Sequence, residues 1–381
     1  MPQFINGPVN FVQLVGNINN TQKNITIFMD VHLDLNNQTR CESFDSIDIS
    51  QYLYNLIKNI KTPLDFFMEI RQTELHTSIT NKRDIYIRDV ISLFKSEFII
   101  EKDKIKYSKS NPNVKLHYLD IRDYLELFYI TTQIKYKILP KIHSLKNDNL
   151  SNTDKIKKIE QIKIHIDIIK QYTEKIFENK NIIQQNKKQI YDKKSQKYYL
   201  NKIIHEYNND RLKNKLNMFL NMNIIKYMVN FQGIIYNILL IFNEYIDDTN
   251  KIYLINELLK VVISLDELIV DIYTMFTDIY FLRRFLDKNN IQNAITYCGR
   301  QHALNYIYFL VKYFDFKIIK LYNSNGLTID DIMDKIKKID DLREVYNLFI
   351  LKGETPIQCT RLLSMEDVLL YDDKPYYYDN K

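Results

Sequence analysis

The residues of this 381-residue chain best suited to chemistry come as four short polar groups, each at the end of an apolar run. Asp30 and His32 close the run Ile25–Val31 within Met29-Asp30-Val31-His32. Glu69 and Arg71 close Leu64–Ile70, and Asp120 and Arg122 close Val114–Ile121. Arg300 and His302 follow Asn293–Cys298 within Gly299-Arg300-Gln301-His302. Imidazoles, carboxylates and guanidinium groups are the side chains of proton transfer, anion stabilisation and metal ligation. Glu69 makes the sharpest demand. Inside Phe66-Phe67-Met68-Glu69-Ile70 a carboxylate costs free energy unless it is paired or metal-bound. Gly299 is one of six glycines. At a strand-to-helix turn it lets the backbone approach a neighbour closely and puts His302 in the first helical turn. Plainer roles stay open: Gly299 relieving φ, His302 capping or packing, and His32 as a structural histidine at a strand end.

For these groups to meet, the apolar runs must be neighbouring strands. Phe11–Asn17 and Asn24–Val31, separated by Asn19-Asn20-Thr21, read as a hairpin. Ser46 or Asp48 can cap a helix carrying Ile49, Leu53, Leu56, Ile57 and Ile60 at helical spacing, ended by Pro63. Leu64–Ile70 reads as a buried strand, Asp84–Phe98 as a helix and Val114–Ile121 as a third strand. Alternation of strand and helix implies a parallel sheet with right-handed crossovers, and ligands of such sheets bind at the carboxyl ends of the strands. The pattern resumes late, with strand Asn293–Cys298, helix Ala303–Tyr313 and strand Phe316–Leu321, then a helix around Ile329–Leu351 and a tyrosine-rich tail, Tyr371–Lys381.

Between them, roughly Tyr124–Leu286 is poor in glycine and proline and helical in period, with a long helical hairpin expected around Lys155–Asn186. The expected fold is α/β: a mainly parallel sheet flanked by helices, interrupted by a large all-helical insertion. The halves of the α/β domain cover residues 1–123 and 287–381, and the insertion 124–286.

The abundance of Ile, Asn, Lys and Tyr, all read from A/T-rich codons, points to an A/T-rich genome such as a large DNA virus. The net charge of +6 is spread along the chain without an arginine-rich arm, so nucleic-acid binding is not argued for. Three cysteines without a C-x-x-C pair suggest a reducing compartment and no disulfide framework. The most apolar stretch, Gly233–Ile246, is broken by Asn237, Asn243 and Glu244, and reads as too short and too polar to cross a bilayer. The expectation is a cytoplasmic protein, in host cytoplasm or virion if viral, whose apolar helices pack internally or against a second copy.

The ordered set M-D-V-H, then L-D-F-F-M-E-I-R, then C-G-R-Q-H-A-L resembles the Tiki/TraB/erythromycin-esterase/ChaN-like superfamily. In that superfamily an early strand ends G-x-x-H or G-E-x-H, a second ends in Glu, often followed by Arg, and a late strand enters a helix through another G-x-x-H. The match covers about Asn24–Arg122 and Asn293–Tyr322, with Met29 where the family has glycine and Asp30 where it has glutamate. The resemblance implies a peptidase- or esterase-like hydrolase acting on a small-molecule or peptide substrate. In one form His32, Glu69 and His302 hold a divalent cation (Mn, Co, Zn or Fe), with Asp30 as fourth ligand or supporting partner. Arg71 or Arg300 then stabilises the oxyanion. In the other no metal is present, and a histidine oriented by Asp30 or Glu69 is the general base. ChaN-like members bind haem, so a catalytically inactive binding or virion-associated protein that keeps the fold is the alternative. Asp278, Tyr280, Arg283 and Arg284, before the late strand, are further candidates for the cleft. Asp30-x-His32 also opens the calcineurin-like phosphoesterase pattern, whose later G-D-x-x-D and G-N-H-E are absent.

Overall fold

A computed structural model describes residues 4–33, 35–71, 85–101, 104–146, 149–185, 196–247, 252–340, 342–349 and 357–361. The tail Tyr371–Lys381, and Asp84, Asn186 and Leu351 at the ends of expected helices, lie outside the described residues. The described residues fall into two compact units, one from Met1–Asp120 with Arg284–Lys381 and one from Ile121–Arg283.

The first unit opens with β1 (Phe4–Asn6), then β2 (Asn10–Ile18) and β3 (Thr21–Asp30), the expected hairpin, turning at Asn19 and Asn20 in left-handed backbone. Next come β4 (Ser46–Asp48), α1 (Ile49–Asn59), β5 (Leu64–Arg71), α2 (Ile85–Glu97), the hairpin β6 (Phe98–Glu101) and β7 (Lys104–Ser108), and β8 (Val114–Asp120). Asp48 stands at the N-cap of α1 without making the cap bond; its Oδ1 instead accepts from Asn6 Nδ2 at 3.0 Å. The second unit holds α3 (Leu127–Gln133), α4 (Leu139–Ser144), α5 (Asn152–Gln185), α6 (Gln196–Ile204), α7 (Asp210–Asp247) and most of α8 (Ile252–Asp287). The chain returns to the first unit with β9 (Asn293–Gly299), α9 (Arg300–Phe314), β10 (Lys317–Leu321), α10 (Ile329–Lys338), α11 (Leu342–Phe349) and β11 (Cys359–Arg361). The single helix expected over Ile329–Leu351 is therefore two, the first opened by a Thr328–Asp331 capping box.

The main sheet has six strands in the order β10-β2-β3-β9-β5-β8. Its β3-β9-β5-β8 part is parallel, whereas β10 and β2 add antiparallel pairings at one edge, so the sheet is mixed. The inner strands are near-continuous apolar runs because helices cover both faces. On one face Phe28, Phe66, Met68 and Tyr297 pack with Tyr52, Leu53 and Leu56 of α1 and Val90 and Phe94 of α2.

Strand β9 lies between β3 and β5, with Asp30 opposite Gly299 and Met68 opposite Tyr297. A buried lysine helps to seat it. Lys23 Nζ of β3 donates to the carbonyls of Phe285, Lys288 and Ile291 at 2.9, 2.9 and 2.7 Å, closing the end of α8 and the approach to β9. A cation at a helix C-terminus is also favoured by the helix dipole.

A small sheet, β11-β1-β4, carries a correction to the cysteine reading. Cys41 and Cys359 form a disulfide across 318 residues, with Cα atoms 5.0 Å apart, while Cys298 lies buried outside that bond. Spacing in the chain could not reveal this pair, because only the antiparallel pairing of β11 with β1 brings the two ends together. By length and composition alone, the stretch Asp210–Tyr245 of α7 is long and apolar enough to cross a membrane. That differs from the reading of Gly233–Ile246, because α7 continues unbroken through its asparagines.

Candidate active site

The parallel register places the carboxyl ends of β3, β9 and β5 side by side, and three of the four polar pairs meet there in whole or part. Asp30 is the last residue of β3 and is fully buried. Its Oδ1 accepts the Val31 N–H at 2.9 Å, and its Oδ2 lies 3.2 Å from His32 Nδ1. His32 is thus held through one ring nitrogen, as in an acid–imidazole dyad, while its side chain stays 45% exposed. The other nitrogen, Nε2, is 3.8 Å from Glu69 Oε2. Glu69 Oε2 also accepts the Gly299 N–H at 2.7 Å. Its Oε1 lies 3.4 Å from His302 Nε2, in the first turn of α9. The result is a continuous chain of groups: Asp30, His32, Glu69, His302.

The electrostatics follow from this arrangement. Burial pushes the Glu69 carboxyl up, but the charge and hydrogen bond of His302, and then those of His32, outweigh it and hold the group well below the usual carboxylate range. Its place at the N-terminus of α9, on the N–H of the N-cap residue, adds the favourable end of the helix dipole. The cost of a carboxylate in an apolar strand is offset by these partners.

Gly299 is needed for closeness. Its φ of −56° and ψ of 145° suit any residue. A Cβ there would stand 3.0 Å from His32 Nε2 and 3.1 Å from Glu69 Oε2. Of the two roles open for it in the sequence, relief of φ is excluded and close approach remains.

The other expected residues are placed differently. Arg71 ends β5, half-buried, opposite Asp120 of β8 in the strand register. Arg300 is half-buried at the start of α9, with its guanidinium 6.0 Å from the Tyr346 ring. Burial lowers its pKa and Tyr346 opposes this. Asp120 is buried at the end of β8, while Arg122 belongs to the helical unit and lies 5.6 Å over Tyr273. Arg283 turns to Glu206 and Tyr207 within the helical unit. Tyr280 lies edge-on to Tyr199 there, and Asp278 is buried. Arg284 donates to His117 Nδ1 at 2.7 Å, and His117 Nε2 meets Asp65 Oδ1 at 2.6 Å.

One positioning residue escaped the sequence reading. Gln358, next to the disulfide, is fully buried. Its Nε2 donates to the Val31 carbonyl at 3.1 Å, and its Oε1 accepts from Thr39 N at 3.2 Å. It therefore holds the backbone between Asp30 and His32. No local signal marks a glutamine in an otherwise ordinary segment.

Two imidazole nitrogens facing one carboxylate are the donor types of a transition-metal site. Among the described residues, however, no three His, Cys, Asp or Glu are arranged as a set of metal ligands. Glu69 Oε2 is engaged by the Gly299 N–H instead. What the arrangement offers directly is an oriented imidazole beside a buried carboxylate and a second imidazole, the parts of general acid–base chemistry.

A family model described as a family of unknown function (DUF5847) matches residues 3–252 and 237–369. The uncharacterized protein R706 of Acanthamoeba polyphaga mimivirus is 31% identical, over 91% of this chain and 93% of its own length. The uncharacterized protein R161 of the same virus is also 31% identical, over 90% of this chain and 94% of its own length. No solved structure matches the chain. The viral relatives support the viral origin to which the composition pointed.

Proposed function

The chain belongs to the DUF5847 family of unknown function, and we propose that it is a hydrolase of ester or peptide bonds that works through His32 as general base. The observation that carries this reading is the imidazole–carboxylate chain at the strand ends: Asp30 on His32 Nδ1, and His32 Nε2 turned toward the Glu69–His302 pair. His32 takes a proton from water through Nε2 as the water oxygen attacks the carbonyl carbon, and returns it to the leaving alcohol or amine when the tetrahedral intermediate collapses and the C–O or C–N bond breaks. Asp30 keeps the ring oriented and stabilises the imidazolium that forms. Glu69 fixes His302, whose ring N–H serves as a donor to the developing oxyanion. The ordered motifs resembling the Tiki/TraB/erythromycin-esterase/ChaN-like superfamily support the same reading, and within that superfamily it sides with the metal-independent esterases.

The test is turnover of a panel of ester and peptide substrates by the full chain, with and without EDTA. Turnover persisting in EDTA and falling at least about 100-fold in His32→Ala is expected. Loss in EDTA restored by Mn, Co, Zn or Fe would overturn the metal-free form and make His32, Glu69 and His302 ligands. Absence of turnover on every substrate would favour the binding or virion-associated protein that keeps the fold.

A further inference from the structure

Helix α7 has two apolar faces, and one of them points away from its own unit. Leu212, Leu216, Leu220 and Ile224, four residues apart, are buried. On the other side Met218, Met222, Ile225, Val229, Tyr236 and Leu240 are between 49% and 64% exposed. At 100° per residue these positions, with Gly233, fall within an arc of about 80° and run on the order of 33 Å along the axis. The stripe is apolar and solvent-facing.

The spacing of the stripe identifies its occupant. Counted outward from Val229, Ile225 stands four residues to one side and Gly233 four to the other. Met222 and Tyr236 follow at seven, and Met218 and Leu240 at eleven. The stripe is thus palindromic, which is what a two-fold interface between identical helices running antiparallel requires, since each position meets its mirror position. Shape and charge agree with the same register. Gly233 has no heavy atom within 4 Å of where its Cβ would be, although a glycine inside a helix costs about 1 kcal/mol against alanine. Across the two-fold this open notch faces Ile225. Glu244 falls opposite Asn214, between Arg211 and Lys215 of the facing helix, so basic and acidic ends meet. Lys226 falls opposite Gln232, which keeps the two lysines apart. Six side chains of this size, each exposing on the order of 100 Å², would bury about 1,200 Å² over both copies, within the range of specific interfaces.

We propose that α7 is a self-association surface, pairing antiparallel about Val229 with α7 of a second copy of this chain. A lipid bilayer is the other occupant an apolar helix suggests. The polar residues Lys226, Asn230, Gln232 and Asn237 are also exposed on α7, which suits a helix pair in water better than a span in lipid.

Sedimentation equilibrium of the full chain is expected to show a dimer. Val229→Glu sets two carboxylates against each other at the axis and should raise the dissociation constant at least about tenfold. Gly233→Leu is the sharper variant. It fills the notch and improves helix propensity, so the dimer should dissociate while thermal stability of the monomer holds or rises. Cysteine at 229 (Val229→Cys) should crosslink two copies under oxidation. Met218→Cys should do so only in combination with Leu240→Cys. A chain monomeric at all concentrations, a dimer indifferent to Val229→Glu and Gly233→Leu, or Met218→Cys crosslinking to itself would overturn the proposal. So would a monomer that instead floats with phosphatidylcholine–phosphatidylserine vesicles in a Val229-dependent way.

Discussion

Gly299→Ala isolates the close approach at the centre of the site. The backbone at Gly299 is ordinary for alanine, so any cost must come from contact. The new Cβ would lie 3.0 Å from His32 Nε2 and 3.1 Å from Glu69 Oε2, a few tenths of an ångström inside ordinary contact. Glu69 cannot retreat without lengthening its 2.7 Å bond from Gly299 N, whereas His32, almost half exposed, can swing outward. Crowding of this kind costs about 1–3 kcal/mol. Replacing glycine by alanine where the backbone allows it returns about 0.4–1 kcal/mol through the unfolded chain. The net expectation is a loss of about 1 kcal/mol in urea unfolding. The effect on turnover should be larger, on the order of 100-fold, because His32 is the group displaced and misplacement by about 1 Å costs that much. A variant as stable as or more stable than the parent, with unchanged turnover, would refute the argument that Gly299 is there to let the two side chains close over it.

Other expectations rest on separate observations. Lys23→Met should cost about 3 kcal/mol, because three carbonyls that now share one ammonium lose their donor. Burial pushes that ammonium from 10.5 down to about 8, against Asp65 and Asp287. Between about pH 8 and 10.5 the unfolded chain therefore holds a proton that the folded one does not, and stability should rise with pH there. Thermal melts across that range should show the slope in the parent and not in Lys23→Met. Burial also lowers the His117 pKa from 6.5, with the Asp65 bond opposing and Arg284 reinforcing. Its contribution to stability should be complete above pH 6.5 and decline below it, a slope that His117→Gln should lack in urea titrations. Gln358→Ala, by leaving the Val31 carbonyl and the Thr39 N–H without their side-chain partner, should cost about 2 kcal/mol in the same assay.

Much of the site can be read in the chain alone, because its signals are local. Leu64–Ile70 is apolar apart from Asp65 and Glu69, so it announces a buried strand and makes Glu69 conspicuous inside it. Apolar runs and the turn residues between them reveal the β2–β3 hairpin and the strand–helix order, and these place His32, Glu69 and His302 at strand ends. Three-residue strands such as β1, β4 and β11 carry no period, so the small sheet has no sequence signature.

Everything that depends on which strand lies beside which belongs to the tertiary structure. The insertion of β9 between β3 and β5 brings Gly299 and His302 onto Glu69 across more than 200 residues, and no local propensity encodes that neighbour. The same holds for the antiparallel edge of the sheet, the Cys41–Cys359 pair and Gln358 behind the His32 backbone. Residue types and periodicity determine what each segment offers. Hydrogen bonding between distant strands, decided by burial over the whole unit, determines what those offers meet.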